Sequence, residues 1–277
     1  MNSPPWTPGV TVLGNLSIDL IDGAPPSPGG CASFAGVAIE AAGGCGRIVG
    51  AAAAEDHALF KPLLQRFGPM LEIVTSDRTS SFGLHYDDET RTLTVEAVGP
   101  VWGAAEIEAA APATTWVHVA PLLRADFPSS TLAGLADRGH LLSYDGQGLV
   151  RSDRLGPVQL DRDFGPELLQ NVTVLKIADD EAAIVADGSF TEATAKWLGV
   201  PEILVTFGSD GCDLYIDGSV VRVPAAWRVK GVHTTGAGDM FTVCYVANRA
   251  GGAAPAEAAG RAAELVAAEL QDRLDNS

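Results

Sequence analysis

The feature that most constrains this chain is a glycine-rich turn opening a helix: Gly-Val-His-Thr-Thr-Gly-Ala-Gly-Asp-Met-Phe at 231–241, continuing into MFTVCYVANR (240–249). Without Cβ atoms, Gly236 and Gly238 let the backbone double back, so that the amides of Gly236, Ala237 and Gly238 can converge on one anion. The positive end of the helix that follows favours negative charge at the same point. Asp239 is then an awkward neighbour unless it has a task, such as taking the proton of a hydroxyl that attacks a phosphate. Taken alone, the run fits an ordinary capped helix start equally well, with Asp239 favoured by the helix dipole.

Around that turn, runs rich in Val, Ile and Leu alternate with alanine-rich helical segments. VTVLGNLSIDLI (10–21), VHVAPLL (117–123), LLSYDGQGLVR (141–151), VTVLKIADDEAAIV (172–185) and ILVTFGSDGCDLYIDG (203–218) contain the strands. CASFAGVAIEAAGG (31–44) and PAEAAGRAAELVAAELQDRL (255–274) are the clearest further helices. This rhythm predicts a parallel sheet covered on both faces. At 277 residues the chain is long enough to be a single α/β domain (1–277) carrying an embellishment. One segment breaks the rhythm: TSSFGLHYDDETRTLTVEAV (79–98) has two β-type runs around a polar turn and predicts a hairpin. An ordinary polar, solvent-facing hairpin accounts for any one of its polar side chains.

Charge and composition remove several function classes. With 47% hydrophobic and 19% charged residues the chain is globular. A formal charge of −17 argues against nucleic acid or an anionic membrane as partner, since either needs a basic face. No uncharged apolar stretch is long enough to span a bilayer. The N-terminal MNSPPWTPG lacks a basic segment followed by an apolar run, so the expectation is a cytoplasmic protein. Cys31, Cys45, Cys212 and Cys244 form no C-x-x-C pair and are expected to be buried free thiols. The histidines form no i, i+4 pair that would suggest structural zinc.

Thr235-Gly236-Ala237-Gly238-Asp239, with Thr234 before it, resembles the D-T-x-G-A-G-D signature of the PfkB (ribokinase-like) carbohydrate kinase family. The other segments fall in that family's order, so the resemblance covers nearly the whole chain. It implies a ribokinase-like three-layer α/β sandwich with a mainly parallel central sheet and a small β-hairpin lid, whose strands lie within 15–30 and 79–98, with Ser81, His85, Tyr86 and Arg91 as candidate lid contacts. It further implies ATP-dependent phosphorylation of a hydroxyl on a small sugar or cyclitol, with Asp239 as general base and the Gly236–Gly238 turn as anion hole. Asp19, at the end of the first strand, stands where a carboxylate binds substrate hydroxyls; from its residues alone it is a turn or cap. Gly29 and Gly30 match the family's Gly-Gly turn, where substrate approaches the backbone. Arg151 closes an Asp-x-Gln-Gly-x-x-Arg loop and either meets a phosphate or pairs with a surface carboxylate. Glu181 occupies the glutamate of an N-x-x-E element that holds Mg²⁺ and phosphates through water. Thr206, Gly208 and Gly211, together with Thr235, Gly236 and Gly238, would line the nucleotide site. The C-terminal helix would border the adenine pocket, and such lids often pair two subunits into a homodimer.

Three departures bear on the chemistry. His233 replaces the signature's first aspartate, which in relatives can help bind an activating monovalent cation, so little response to potassium is expected. Phe34 replaces an asparagine of the Gly-Gly turn, giving either an apolar wall against the C–H face of a ring or plain core packing. Ala178 replaces the asparagine of N-x-x-E. Gly-Gly-x-x-Ser-Phe, Leu-Lys-x-Ala and Asp-x-Gln-Gly-x-x-Arg together resemble the inositol-kinase-like branch. A nucleoside or aminocyclitol kinase of the same fold stands as the alternative, as does a non-catalytic nucleotide-binding relative, against which the retention of Asp239 speaks.

Overall fold

The computed structural model describes residues 7–87, 90–232 and 234–275. In chain order the strands are β1 (Thr7–Asn15), β2 (Ser17–Ile21), β3 (Ser27–Gly29), β4 (Gly46–Ala53), β5 (Leu71–Ser76), β6 (Ser80–Asp87) and β7 (Thr90–Ala97). They continue as β8 (Thr114–Val119), β9 (Leu141–Asp145), β10 (Gly156–Pro157), β11 (Val172–Ala178), β12 (Glu202–Thr206), β13 (Cys212–Ile216) and β14 (Ser219–Val223). The helices are α1 (Ala32–Ala41), α2 (Lys61–Phe67), α3 (Ala104–Ala110), α4 (Ser129–Asp137), α5 (Gln147–Val150), α6 (Asp179–Ala186), α7 (Glu192–Leu198), α8 (Ala237–Ala250) and α9 (Pro255–Asp275).

Nine strands form the central sheet in the order β14-β13-β12-β11-β9-β8-β1-β4-β5. From β12 to β5 every pairing is parallel, and β13 and β14 add an antiparallel edge. The period-2 alternation of side chains divides the core between the two faces. Val10 and Val12 of β1, Val174 of β11 and Leu204 of β12 pack with α1, α8 and α9. Leu13, Leu175, Ile177, Ile203 and Val205 point the other way, into the layer built on α3 to α7. Runs such as VTVLKIA read as continuously apolar because both faces are covered, which is the three-layer α/β architecture.

A second sheet, β10-β7-β6-β2-β3, stands off the first. Only Leu16, fully buried, separates the last residue of β1 from the first of β2, so the chain passes straight from the central sheet into the small one. Asn15 fastens the crossing: its amide donates to the Pro100 carbonyl (2.9 Å) and its side-chain oxygen accepts from the Trp102 indole (2.8 Å). β2 pairs with β6 in parallel and with β3 antiparallel, and β6 and β7 form the hairpin. The short strand β10, which the sequence pattern did not signal, joins its edge.

Several local details differ from the sequence pattern. β8 stops at Val119, because Asp126 turns the chain by accepting the backbone N–H groups of Leu122 (2.7 Å) and Leu123 (3.1 Å). The segment after Asp145, expected as a loop, contains the short helix α5. Cys31, Cys212 and Cys244 are buried, whereas Cys45 is exposed on the turn before β4. Among the described residues no helix is long and apolar enough to cross a membrane.

Candidate active site

The strands β1, β9, β11 and β12 end at Asn15, Asp145, Ala178 and Thr206, all on the carboxyl edge of the sheet, where open α/β folds place their ligands. A cavity of about 350 Å³ opens between that edge and the small sheet. Ser17 and Asp19 line it from β2, Gly30, Cys31 and Phe34 from the start of α1, and Gln147 and Arg151 from the α5 segment. Thr234, Thr235, Gly236 and Asp239 close one wall, and Phe82, Leu84, Leu93 and Leu122 form an apolar one.

Local backbone geometry dictates the glycines here. The Ser17 hydroxyl donates to Asp19 Oδ1 at 2.9 Å. Gly29 lies opposite Ser17 in the β2–β3 register, and a Cβ there would fall 2.2 Å from Asp19 Oδ1. Gly30 has φ +87°, and a Cβ would sit 2.8 Å from the Asn15 carbonyl. Both positions thus exclude side chains, which keeps the Asp19 carboxylate seated.

On the opposite wall, Gly236 caps α8 in the left-handed region (φ 79°), and the Phe34 ring lies flat against it, 2.1 Å from where a Cβ would be. The Ala237 N–H donates to the Thr234 carbonyl (3.0 Å), so this amide is engaged within the turn rather than converging with those of its neighbours on an anion. A Cβ on Gly238 would stand 3.1 Å from Lys176 Nζ, which brings a buried ammonium up to the turn.

Lys176, on β11, is the centre of a buried charge cluster. Its Nζ lies 3.5 Å from Asp145 Oδ2, with both side chains almost fully buried. Burial pulls the Lys176 pKa down, but Asp145, Glu181 and Asp239 together raise it above the usual lysine value. Burial pushes Asp239 up to about 6; Asp145 and Glu181 add to the rise, and Lys176 and Arg151 oppose it. Glu181 is raised by burial and by Asp145, against the pull of Lys176, of the Ala178 N–H and of Arg151. The result is a carboxylate, Asp239, poised near neutral pH on a cavity wall, a combination typical of proton-transfer sites.

Glu181 accepts the Ala178 N–H at 2.9 Å from the start of α6 and is buried. With one oxygen engaged in that way, it suits an outer-sphere role toward Mg²⁺, an ion usually held by one or two carboxylates, water and substrate phosphates. Among the described residues no group of three or more His, Cys, Asp or Glu could enclose a metal. Thr206 pairs in register with Ala178, and its hydroxyl donates to the Ile177 carbonyl (3.4 Å). Gly208 and Gly211 follow with φ +53° and +91°, and a Cβ on Gly211 would collide with the Val223 carbonyl at 2.2 Å.

Of the residues singled out in the sequence, Asp19, Gly30, Phe34, Arg151, Thr235, Gly236 and Asp239 come together around the cavity. Gly29 sits behind Asp19, Gly238 against Lys176, and Glu181 in the charge cluster. Thr206, Gly208 and Gly211 lie apart, along the β12 end of the edge. On β6, strand alternation turns Phe82 and Leu84 toward the cavity. Ser81 instead donates to the Ile18 carbonyl (3.1 Å) and His85 pairs with Asp22 (2.8 Å), so neither lines the cavity. The side chains of Tyr86 and Arg91, and all of His233, lie outside the described residues. Sequence reasoning assigned no role to Lys176, Asp145 or Gln147. The signal for Lys176 was a lone charge inside the apolar strand VTVLKIA, and for Asp145 a carboxylate at the end of LLSYD.

Comparison with known proteins points the same way. Residues 104–274 match the pfkB family carbohydrate kinases. Over 117 residues the chain is 34% identical to an inositol 3-kinase of Zea mays, a stretch amounting to 42% of this chain and 27% of that protein's length. Its fold superposes on a pyrophosphate-dependent kinase of the ribokinase family complexed with a pyrophosphate analog and myo-inositol (TM-score 0.80, 21% identity, 94% of each chain). It also superposes on Arabidopsis thaliana ribokinase complexed with ribose and ATP (TM-score 0.72, 20% identity, 95% of this chain and 93% of that one).

Proposed function

The chain belongs to the pfkB family of carbohydrate kinases, and from that premise we propose that it transfers the γ-phosphate of ATP to a hydroxyl of a single-ring polyol, a cyclitol or small sugar. The observation that carries this reading is the convergence of Asp239, the Gly236 turn and Asp19 on one cavity. Its volume of about 350 Å³ is at the small end of ligand pockets, which suits one hydroxylated ring better than a nucleoside. Asp19, steadied by Ser17, accepts hydrogen bonds from acceptor hydroxyls, and Phe34 offers an apolar wall to the ring's C–H groups.

In this mechanism Asp239 takes the proton of the reacting hydroxyl, whose oxygen attacks the γ-phosphorus. The bond from that phosphorus to the bridging oxygen breaks, and ADP leaves with the electron pair. The Gly236 and Gly238 amides and the α8 dipole would stabilise the charge on the phosphoryl oxygens, with Arg151 on the cavity wall and Lys176 buried behind the turn. Glu181 would hold Mg²⁺ through water, and the ion would supply charge neutralisation for the donor. The apolar wall of Phe82, Leu84 and Leu93 excludes water, which would otherwise compete with the acceptor.

The test is donor consumption, with ATP and with pyrophosphate, across cyclitols, pentoses, hexoses and nucleosides, the product phosphate being located by phosphorus NMR. Turnover confined to nucleosides, or none with any acceptor, would overturn the reading. Asp239→Asn is expected to lower kcat by about 10² to 10⁴; a variant within a few-fold of the parent would remove Asp239 from the role of base.

A further inference from the structure

We propose that Arg273, in the last turn of α9, is a positioning residue for the 234–239 turn, a cation supplied by the chain itself that holds the phosphate-facing loop in its working conformation. The proposal rests on the reading above, in which this turn meets the transferred phosphoryl group.

The Arg273 guanidinium touches both sides of one residue, Gly236. Nη1 donates to the carbonyl of Thr235, immediately before it, at 3.1 Å. Its carbon lies 5.8 Å from the centre of the Phe34 ring, which also lies against the bare Cα face of Gly236. Nη2 lies 3.0 Å from Met240 Sδ, one residue past Asp239, and Nε is held by Glu269 at 3.2 Å. One planar group therefore ties the carbonyl entering the turn, the ring that backs it and the side chain that follows it. The left-handed φ of 79° at Gly236 sets where the next amides point, and a glycine does not hold that angle by itself. The Arg273 side chain is about a quarter exposed and the Thr235 carbonyl lies at the surface, so the bond is made at the rim of the turn rather than in the core.

The sequence supplies the complementary observation. At position 233 a histidine stands where the signature that the run resembles has an aspartate, so the turn begins without that carboxylate. A guanidinium on the Thr235 carbonyl, two residues on, provides positive charge at this loop without any ion from solution. Lysine would not substitute fully, because a point charge lacks the fork that reaches the carbonyl and the sulfur together over the Phe34 ring.

The experiment compares the parent with Arg273→Ala and Arg273→Lys by amide hydrogen exchange and by kinetics. In Arg273→Ala the amides of the 234–240 segment should exchange at least about tenfold faster, while those of Val243 to Asn248 keep parent rates. The kcat should fall roughly 10- to 100-fold, as expected for misplaced rather than missing catalytic groups, with the KM for acceptor little changed. Millimolar guanidinium should restore part of the activity of Arg273→Ala and leave the parent unaffected, and Arg273→Lys should lie between the two. Parent-like exchange at 234–240 in Arg273→Ala refutes the clamp, whatever the kinetics. Faster exchange with parent kcat refutes the positioning role, and faster exchange throughout α8 and α9 reduces Arg273 to general support. Should the parent itself turn over no acceptor, the kinase reading fails, and the exchange data still decide whether Arg273 holds the turn.

Discussion

Asp239 shows how environment can select one carboxylate among several. Burial and the nearby Asp145 lift it to about 6, and only the partial compensation by Lys176 and Arg151 keeps it from rising further. Two consequences of opposite sign follow. The folded-state pKa lies above that of an unfolded aspartate, so the stability this carboxyl contributes is present at low pH and is lost as pH rises through about 6. Activity runs the other way, because a base must be ionised. The acid limb of kcat/KM is therefore expected near pH 6, set by the buried cluster as a whole. Lys176→Gln removes the largest influence that lowers the Asp239 pKa, so the limb should move to higher pH. A limb that stayed in place or moved down in that variant, measured by steady-state kinetics across about pH 5 to 9, would show that Asp239 does not govern it.

Two short segments hold the site at the level of elements. One is the direct passage from β1 to β2 through Leu16, which makes Asp19 an extension of the central sheet rather than part of a free loop. Asp19→Ala should accordingly weaken acceptor binding, seen by calorimetry, and leave ATP affinity largely intact, because the β12 end of the edge is untouched; equal loss of both would assign Asp19 a structural role. The other is the start of α8, where Gly236 meets Phe34. Gly236→Ala places a methyl inside the ring and forces an L-residue to φ 79°, the latter alone costing about 1 to 3 kcal/mol. Activity should fall steeply, and the double variant Gly236→Ala, Phe34→Ala should recover part of it by clearing the clash but not the backbone strain. An unimpaired Gly236→Ala enzyme would mean that the turn reshapes freely, contrary to the packing described.

The whole molecule imposes a field on the reaction. With a formal charge of −17 the protein repels the anionic donor at long range, while Arg151 and Lys176 attract it only once it has arrived. The Debye length shrinks from about 30 Å at 0.01 M to about 8 Å at 0.15 M ionic strength, so added salt screens the distant repulsion more than the local attraction. Raising ionic strength with a bulky organic cation at fixed Mg²⁺ should therefore increase kcat/KM for ATP and leave kcat/KM for a neutral polyol unchanged. A fall for ATP would show that the local cations dominate its approach.

The sequence by itself determined the architecture and the order of its parts. Continuous apolar runs such as VTVLKIA are legible as doubly covered strands because hydrophobic patterning is a local property. The Thr234–Asp239 run is legible too, because a turn with a glycine in the left-handed region admits few other residues. What only the tertiary structure decided are relations between distant segments. Lys176 reads as an anomaly in a strand until Asp145, Glu181 and Asp239, from three other segments, surround it. Phe34 reads equally as wall or core, and it turns out to line the cavity while backing Gly236, some two hundred positions away. Ser81 and His85 were candidate lid contacts, and they bond within the small sheet while strand parity gives the cavity to Phe82 and Leu84. Arg273 ends an unremarkable amphipathic helix, and only the packing of α9 over α8 carries its guanidinium to the Thr235 carbonyl. Patterning records which face of an element is buried; which charge meets which is set by how the elements cross, and no local window of sequence contains that.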